Sequence, residues 1–191
     1  KIFNKQLHTN RLLHLGIDLK KYKSKKNYIT KKRKIIIGLR SSYNPRKGLD
    51  IFEQMINHLG KKKSITNKIK FKIIGNEEVT KTLKKNQFKF TRNNHINTER
   101  GLIKFYQSID FFLNTSIGDL GPVMINESLA CGTPSLSFNI GVSKDLIKNR
   151  KNGYLSNLGN YISMSKIILN LTKLSNQKLN QLRTGSRKTA I

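Results

Sequence analysis

The chain has 191 residues and one Cys, and its 38 Lys and Arg against 10 Asp and Glu give a formal net charge of +28. That length suits one large core better than two small ones, and the single Cys131 excludes an internal disulfide framework and a multi-cysteine zinc site. No apolar run approaches the roughly 18 residues of a membrane span, no signal peptide is visible, and a chain opening at Lys1 without a Met is expected to be a fragment.

Residues 1–32 are mixed: Leu12 to Asp18 is a short apolar piece ending in a turn signal, and Lys20 to Lys32 is basic and polar, which reads as a linker. From Lys34 a regular alternation begins. Ile35-Ile36-Ile37-Gly38 is a β-branched run that predicts a buried strand, and Asn44-Pro45 with Gly48 marks a loop. Ile51, Phe52, Met55, Ile56 and Leu59 fall at helical spacing, closed by Gly60. Ile69–Gly75 predicts the next strand, Glu78–Lys85 a weaker helix, Phe88–Phe90 a short strand, and Leu102, Ile103 and Tyr106 another helix. Asp110–Asn114 reads as a strand, Val123–Ala130 as a helix stopped by Gly132-Thr133-Pro134, and Ser135–Phe138 as a strand. Ser143–Lys148 predicts a short helix, Gly153–Leu155 an extended piece, and Ile162–Leu174 an amphipathic helix. The segment 176–191 is a polar, basic tail that Leu179 and Leu182 give a helical pattern.

Strands alternating with helices across short loops predict an α/β protein with a doubly wound parallel sheet, a Rossmann-like layer covering residues 33–175. That regularity rejects a disordered basic chain. Ligands of such sheets sit at the carboxyl ends of the strands, so the loops after Gly38, Gly75, Asn114 and Phe138 are where a site is expected.

The loop after Asn114 is the most informative. Gly118 and Gly121 let the backbone approach a ligand, Pro122 suits a first helical position, and the helix that follows offers free N–H groups to a phosphate. Asp119 and Glu127 bracket this mouth, about 10–12 Å apart along the helix at 1.5 Å per residue. That is the reach from a sugar to a ribose across a diphosphate. By composition and spacing alone, the favoured reading is Asp119 as an ordinary helix cap and Glu127 as a surface residue on an exposed helix face.

The acidic residue, seven intervening residues, Glu127, a small-residue helix and the Gly132-Thr133-Pro134 stop resemble glycosyltransferase family 4, in the C-terminal, donor-binding half of its GT-B fold. Gly16-Ile17-Asp18, Lys47-Gly48, Ile73-Ile74-Gly75, Tyr106 to Asp110, Gly141 to Asp145 and Asn152-Gly153 supply flanking landmarks over residues 10–174. The resemblance implies a retaining transferase that takes a nucleotide-diphosphate sugar and passes its glycosyl group to a saccharide or lipid-linked acceptor. Glu127 would hold the ribose hydroxyls, Asp119 the hydroxyls of the transferred sugar, and the backbone N–H groups of Leu120, Gly121 and Val123 the sugar and adjacent phosphate. Lys47 would neutralise the diphosphate with Arg40, whose spacing to Lys47 is longer than the common one, so Ser42 and Arg46 stand as substitutes. Asp119 stands where the family usually has Glu, and Pro122 removes one N–H donor from the nest. The Asp119 to Pro122 variant resembles the branch acting on surface polysaccharides and lipopolysaccharide cores. The resemblance also implies an N-terminal domain for the acceptor, absent here, a cytoplasmic site of action and no metal or other cofactor. A 191-residue piece alone is expected to turn over little or nothing.

The charge has two other readings. Lys, Ile and Asn rise together in A- and T-rich coding DNA, and runs such as Lys61-Lys62-Lys63 fall where solvated loops belong. A basic nucleic-acid or anionic-surface binder on a Rossmann-like scaffold is the alternative function, although no nucleic-acid motif supports it and no nucleic-acid partner is expected. Peripheral contact with anionic lipids is a subsidiary use of the same charge. His8, His14, His58 and His95 lack ligand spacing and read as surface or packing residues, and Cys131 reads as packing.

Overall fold

A computed structural model of the chain describes residues 16–25, 34–118 and 123–190. Six parallel strands, β1 (Ile35–Ser41), β2 (Ile69–Gly75), β3 (Lys89–Asn93), β4 (Phe111–Asn114), β5 (Ser135–Phe138) and β6 (Gly153–Ser156), form one sheet in the order β3-β2-β1-β4-β5-β6. The doubly wound sheet is therefore present, with its strand order reversing between β1 and β4. The helices between and after them are α1 (Leu49–Gly60), α2 (Lys63–Thr66), α3 (Glu78–Lys85), α4 (Glu99–Gln107), α5 (Val123–Ala130), α6 (Val142–Leu146), α7 (Tyr161–Leu171) and α8 (Asn176–Thr189).

Strand alternation sorts the core into two layers. Ile37 and Leu39 of β1, Ile69, Phe71 and Ile73 of β2, and Phe111 and Leu113 of β4 point to the face covered by α1, α3 and α7. There Phe52, Met55, Ile56 and Leu59 of α1 form the helical stripe expected from their spacing, all within 1% of full burial. Ile36, Ile74 and Phe112 point the other way, toward Phe105, Tyr106 and Ile109 at the end of α4 and Ala130 and Cys131 at the end of α5. Side-chain caps fix where helices begin. Thr98 accepts from Gly101 N at 3.2 Å, Asn160 from Ser163 N at 2.8 Å, and Ser175 from Lys178 N at 3.2 Å.

Three expectations need correction. Gly38 does not end its strand: β1 runs to Ser41, pairing Arg40 with Ile74 and Ser41 with Gly75. A Cβ at Gly38 would lie 2.4 Å from Ile109 Cδ1 and 2.9 Å from the Phe105 ring, so glycine here serves close helix–sheet packing. The Lys61-Lys62-Lys63 run is not all loop, because Ile65 and Thr66 bury one turn, α2, that starts at Lys63. The basic segment after Lys20 is more than a linker in its described part. Asp18 turns the chain by accepting from the Lys20 and Lys21 amides, and Tyr22 enters the second core at 6% exposure.

The helical pattern expected of the C-terminal segment is realised in α8, and the helix is anchored. Leu179 and Leu182 join the first core layer. Arg183 then meets Asp110, just before β4, at 2.5 Å, with both side chains almost fully buried. One turn on, along the same face of the helix, Arg187 donates to the carbonyls of Tyr22 at 2.5 Å, Ala130 at 2.7 Å and Leu19 at 3.1 Å. This helix thus ties the residues before the sheet to the end of α5.

Candidate functional site: a basic cleft at the switch point

The carboxyl ends of β1 and β2 and the start of α5 surround a cleft of about 620 Å³. Its walls carry Arg40, Ser42, Tyr43 and Lys47 from β1 and the loop after it, Gly75 and Asn76 after β2, His95 and Ile96 after β3, and Val123 and Met124 of α5. This is the crevice beside the point where the strand order reverses, where a parallel sheet leaves backbone groups and helix N-termini open to a ligand.

The Lys47 loop is held in place by the loop after β4. Pro45–Lys47 forms a single 3-10 turn, capped by the Asn44 side chain at 3.0 Å from Arg46 N. Thr115 Oγ1 donates to the Lys47 carbonyl at 2.8 Å, and the Ile117 and Gly118 amides both donate to the Arg46 carbonyl. Gly48 closes the turn at φ +68°, and a Cβ there would sit 2.1 Å from the Thr115 carbonyl oxygen. Both backbone conformation and space therefore demand glycine after Lys47.

Arg40 and Glu127 meet beneath the cleft. Alternation along β1 puts Arg40 on the same face as Ile36 and Gly38, toward α4 and α5. Glu127 lies four residues after Val123 and three after Met124, so it shares their helical face one turn deeper, and its side chain tilts back toward the helix start. Arg40 Nη1 is 3.4 Å from Glu127 Oε2. The Tyr106 hydroxyl donates to the same oxygen at 2.6 Å, and the Tyr22 hydroxyl donates to Oε1 at 3.3 Å. Glu127 is 8% exposed, so the reading of it as an ordinary surface residue fails. Burial, reinforced by the Glu127 charge, raises the Tyr106 phenol well above its ordinary value and the Tyr22 phenol to about 12, so both remain donors.

The family model of glycosyl transferases group 1 matches residues 20–189. The chain belongs to this family.

Solved structures of other proteins share its fold. A C-terminal domain of a glycosyl transferase group 1 family protein, LpcC from Francisella tularensis, is 15% identical with a TM-score of 0.72, over 91% of this chain and 96% of that one. HepE from Anabaena, solved with UDP and glucose, is 20% identical with a TM-score of 0.69, over 92% of this chain and 50% of that one. TarM from S. aureus, solved with UDP, fondaparinux and α-GlcNAc-glycerol, is 21% identical with a TM-score of 0.74, over 91% of this chain. The chain spans 34% of that TarM and half of HepE. The architecture is that of GT-B transferase domains. No curated protein sequence matches the chain.

Within this transferase domain, the residues expected at the donor site fall into three groups. Arg40, Lys47 and Val123 line the cleft, and Glu127 joins it through its 3.4 Å contact with Arg40. Of the two substitutes considered for Arg40, Ser42 lines the cleft, whereas the Arg46 side chain lies across Gly118. Asp119, Leu120 and Gly121, with Pro122, lie outside the described residues, as do His8 and His14.

Other side chains have places that spacing did not reveal. His95 is exposed and lines the cleft, whereas His58 packs edge-on against Tyr161 with ring centroids 6.1 Å apart. Asn76 turns its Oδ1 to the Glu78 amide at 2.8 Å, and its buried Nδ2 has no partner among the described residues. Cys131 is fully buried, and burial followed by the Glu127 charge raises its thiol to about 12, which suits packing and not nucleophilic attack. Among the described residues no three His, Cys, Asp or Glu side chains gather as a metal site would require, and no helix is long and apolar enough to cross a membrane.

Proposed function

We propose that this chain is the donor-binding domain of a retaining, family 4 glycosyltransferase that uses a UDP-sugar. The observation that carries the reading is the convergence of Arg40, Lys47 and the first turn of α5 on one cleft, above the Glu127 carboxylate. TarM and HepE, which share the fold, hold UDP, and that supports uridine as the base.

The chemistry follows from charge. Cleaving the bond between the sugar C1 and the diphosphate builds an oxocarbenium-like sugar and leaves negative charge on the departing phosphate. Lys47 and Arg40, fixed before the reaction begins, stabilise that charge without reorganising. The Val123 amide and the N-terminal end of α5 add a dipole of the same sign. Glu127 accepts from the ribose hydroxyls, and Asp119 with the Leu120 and Gly121 amides holds the transferred hexose. No step in this scheme calls for a metal.

The remaining parts of the reading are the wider enzyme. A second domain, N-terminal to this one, supplies the acceptor side, so this piece alone binds donor and turns over little. The acceptor is a saccharide or a lipid-linked saccharide of a surface polysaccharide or lipopolysaccharide, handled in the cytoplasm. The net charge of +28 favours transient contact with anionic lipid at the inner membrane face.

Calorimetric titration of the chain with UDP, GDP and ADP, beside a DNA duplex and across salt concentrations, tests the reading. Saturable binding strongest for UDP, and weakened about tenfold or more by Lys47→Ala and by Glu127→Ala, is expected. Tight duplex binding with a steep salt slope, indifferent to both substitutions, overturns it in favour of a polyanion binder.

A further inference from the structure

We propose that Tyr106 and Tyr22 are positioning residues that hold the Glu127 carboxylate in register for a ribose. The segment 17–23 ahead of the sheet is thereby part of the donor site. The inference rests on the reading of Glu127 as the ribose acceptor.

A carboxylate offers about four acceptor positions on its two oxygens. Among the described residues, Oε2 of Glu127 takes two donors, Tyr106 at 2.6 Å and Arg40 at 3.4 Å, while Oε1 takes only Tyr22, at 3.3 Å. The short bond to Tyr106 fixes the rotation of the group. The long bond at Oε1 leaves that oxygen the less saturated one, and so the one able to accept from an incoming hydroxyl. A buried carboxylate lacking these donors would carry a desolvation penalty and turn toward Arg40 alone.

Each tyrosine is itself held. Tyr106 is fully buried, with its ring edge-on to Phe105 and Phe112 at centroid distances of 5.4 Å, and its carbonyl accepts from Thr133 Oγ1 at 2.8 Å. Tyr22 comes from a different part of the chain and is placed by backbone clasps. Arg187 of α8 grips the carbonyls of Leu19, Tyr22 and Ala130, and Gln107 Nε2 donates to the Lys23 carbonyl at 2.6 Å. Ala130 lies three residues after Glu127 on α5, so one guanidinium sets the distance between the Tyr22 backbone and the helix that carries the carboxylate.

The test compares wild type, Tyr106→Phe and Tyr22→Phe by titration with UDP, 2′,3′-dideoxy-UDP and inorganic pyrophosphate. Phe keeps the ring packing and removes only the hydroxyl. Wild type should prefer UDP to the dideoxy analogue. Tyr106→Phe should lose about tenfold in UDP affinity and Tyr22→Phe about threefold, with dideoxy-UDP and pyrophosphate affinities unchanged in both. Equal loss for all three probes marks a merely structural role and overturns the inference, as does UDP binding unaltered in either variant. Should Tyr106→Phe not fold, the Tyr22→Phe comparison decides alone. A wild type that binds no UDP, or binds the dideoxy analogue equally well, overturns the reading of Glu127 itself. The variants failing against a discriminating wild type overturn only the positioning roles.

Discussion

Thr115 Oγ1 lies 2.8 Å from the Lys47 carbonyl oxygen and donates to it, although the two residues sit in loops that follow different strands. The contact bridges the point where the sheet reverses its order, so the position of Lys47 depends on the loop after β4. Gly48 is the hinge of that arrangement. Gly48→Ala forces a methyl group to within 2.1 Å of the Thr115 carbonyl oxygen and a non-glycine residue into φ +68°. We expect a loss of about 1–3 kcal/mol in stability from strain of this kind. Denaturant unfolding reads the first effect and UDP titration a second, a weakened diphosphate. Wild-type values in both would show that the two loops are not locked.

Arg40 and Lys47 line one cleft, and double-mutant cycles with Glu127 separate their roles. Arg40 touches Glu127, at 3.4 Å, so Arg40→Ala and Glu127→Ala should couple in UDP binding by about 1 kcal/mol or more. Lys47 lies in the 3-10 turn after β1, and Lys47→Ala with Glu127→Ala should add to within about 0.5 kcal/mol. Coupling of Lys47 as strong as that of Arg40 would mean that both cations act through the carboxylate.

Much of this was readable in the sequence, for reasons that differ between elements. The bounds of α5 and β5 follow from the Gly132-Thr133-Pro134 stop between them, and α1 from a full apolar stripe. The positions of Lys47 and Glu127 follow from their places in an ordered set of landmarks. Asp110 opens a strand in the sequence pattern, and its place in a buried ion pair is invisible there, because its partner, Arg183, is 73 residues away. The tyrosine cage was hidden for the same reason: Tyr22, Tyr106 and Glu127 share no local spacing, and only the fold brings them together. Tyr22 left one trace, an aromatic residue inside an otherwise basic and polar run after Ile17 and Leu19. His95 left none, since a polar loop of Asn and Thr looks alike whether it faces solvent or a ligand.

The Arg183 to Asp110 pair at the amino ends of the strands makes α8 part of the domain. Asp110 Oδ2 also accepts from the Ile36 amide at 2.9 Å, so the carboxylate joins helix, strand β1 and strand β4. Arg183→Met keeps the length of the side chain but takes the guanidinium away from a buried carboxylate. The expected cost is about 3–5 kcal/mol, as for other buried pairs broken on one side. Replacing Asp110 as well, by Asn, should recover part of that loss, since the buried carboxylate charge is removed too. Urea denaturation of the single and double variants measures both effects. A cost below about 1 kcal/mol for Arg183→Met would place the stability of α8 in Leu179 and Leu182 instead.

Alkaline titration examines the cage without any ligand. The folded Tyr22 phenol ionises only at about 12 against an ordinary 10.0, because it is buried and then because it faces the Glu127 charge, and the same two causes raise Tyr106 well above its ordinary value. The sign follows from the order of ionisation. Below pH 10 both phenols are protonated in the folded and the unfolded chain, and their hydrogen bonds to Glu127 contribute in full. Above it the unfolded chain gains by ionising while the folded phenol cannot, so stability drains away as pH rises toward about 12. Melting temperature followed through that window should fall more steeply in wild type than in Tyr22→Phe, which has no phenol at that position to titrate. Phenolate absorbance should likewise show wild type with one more late-titrating group than Tyr22→Phe among its six tyrosines. Parallel melting curves with identical phenolate titrations would mean that Tyr22 stands in water, away from the carboxylate.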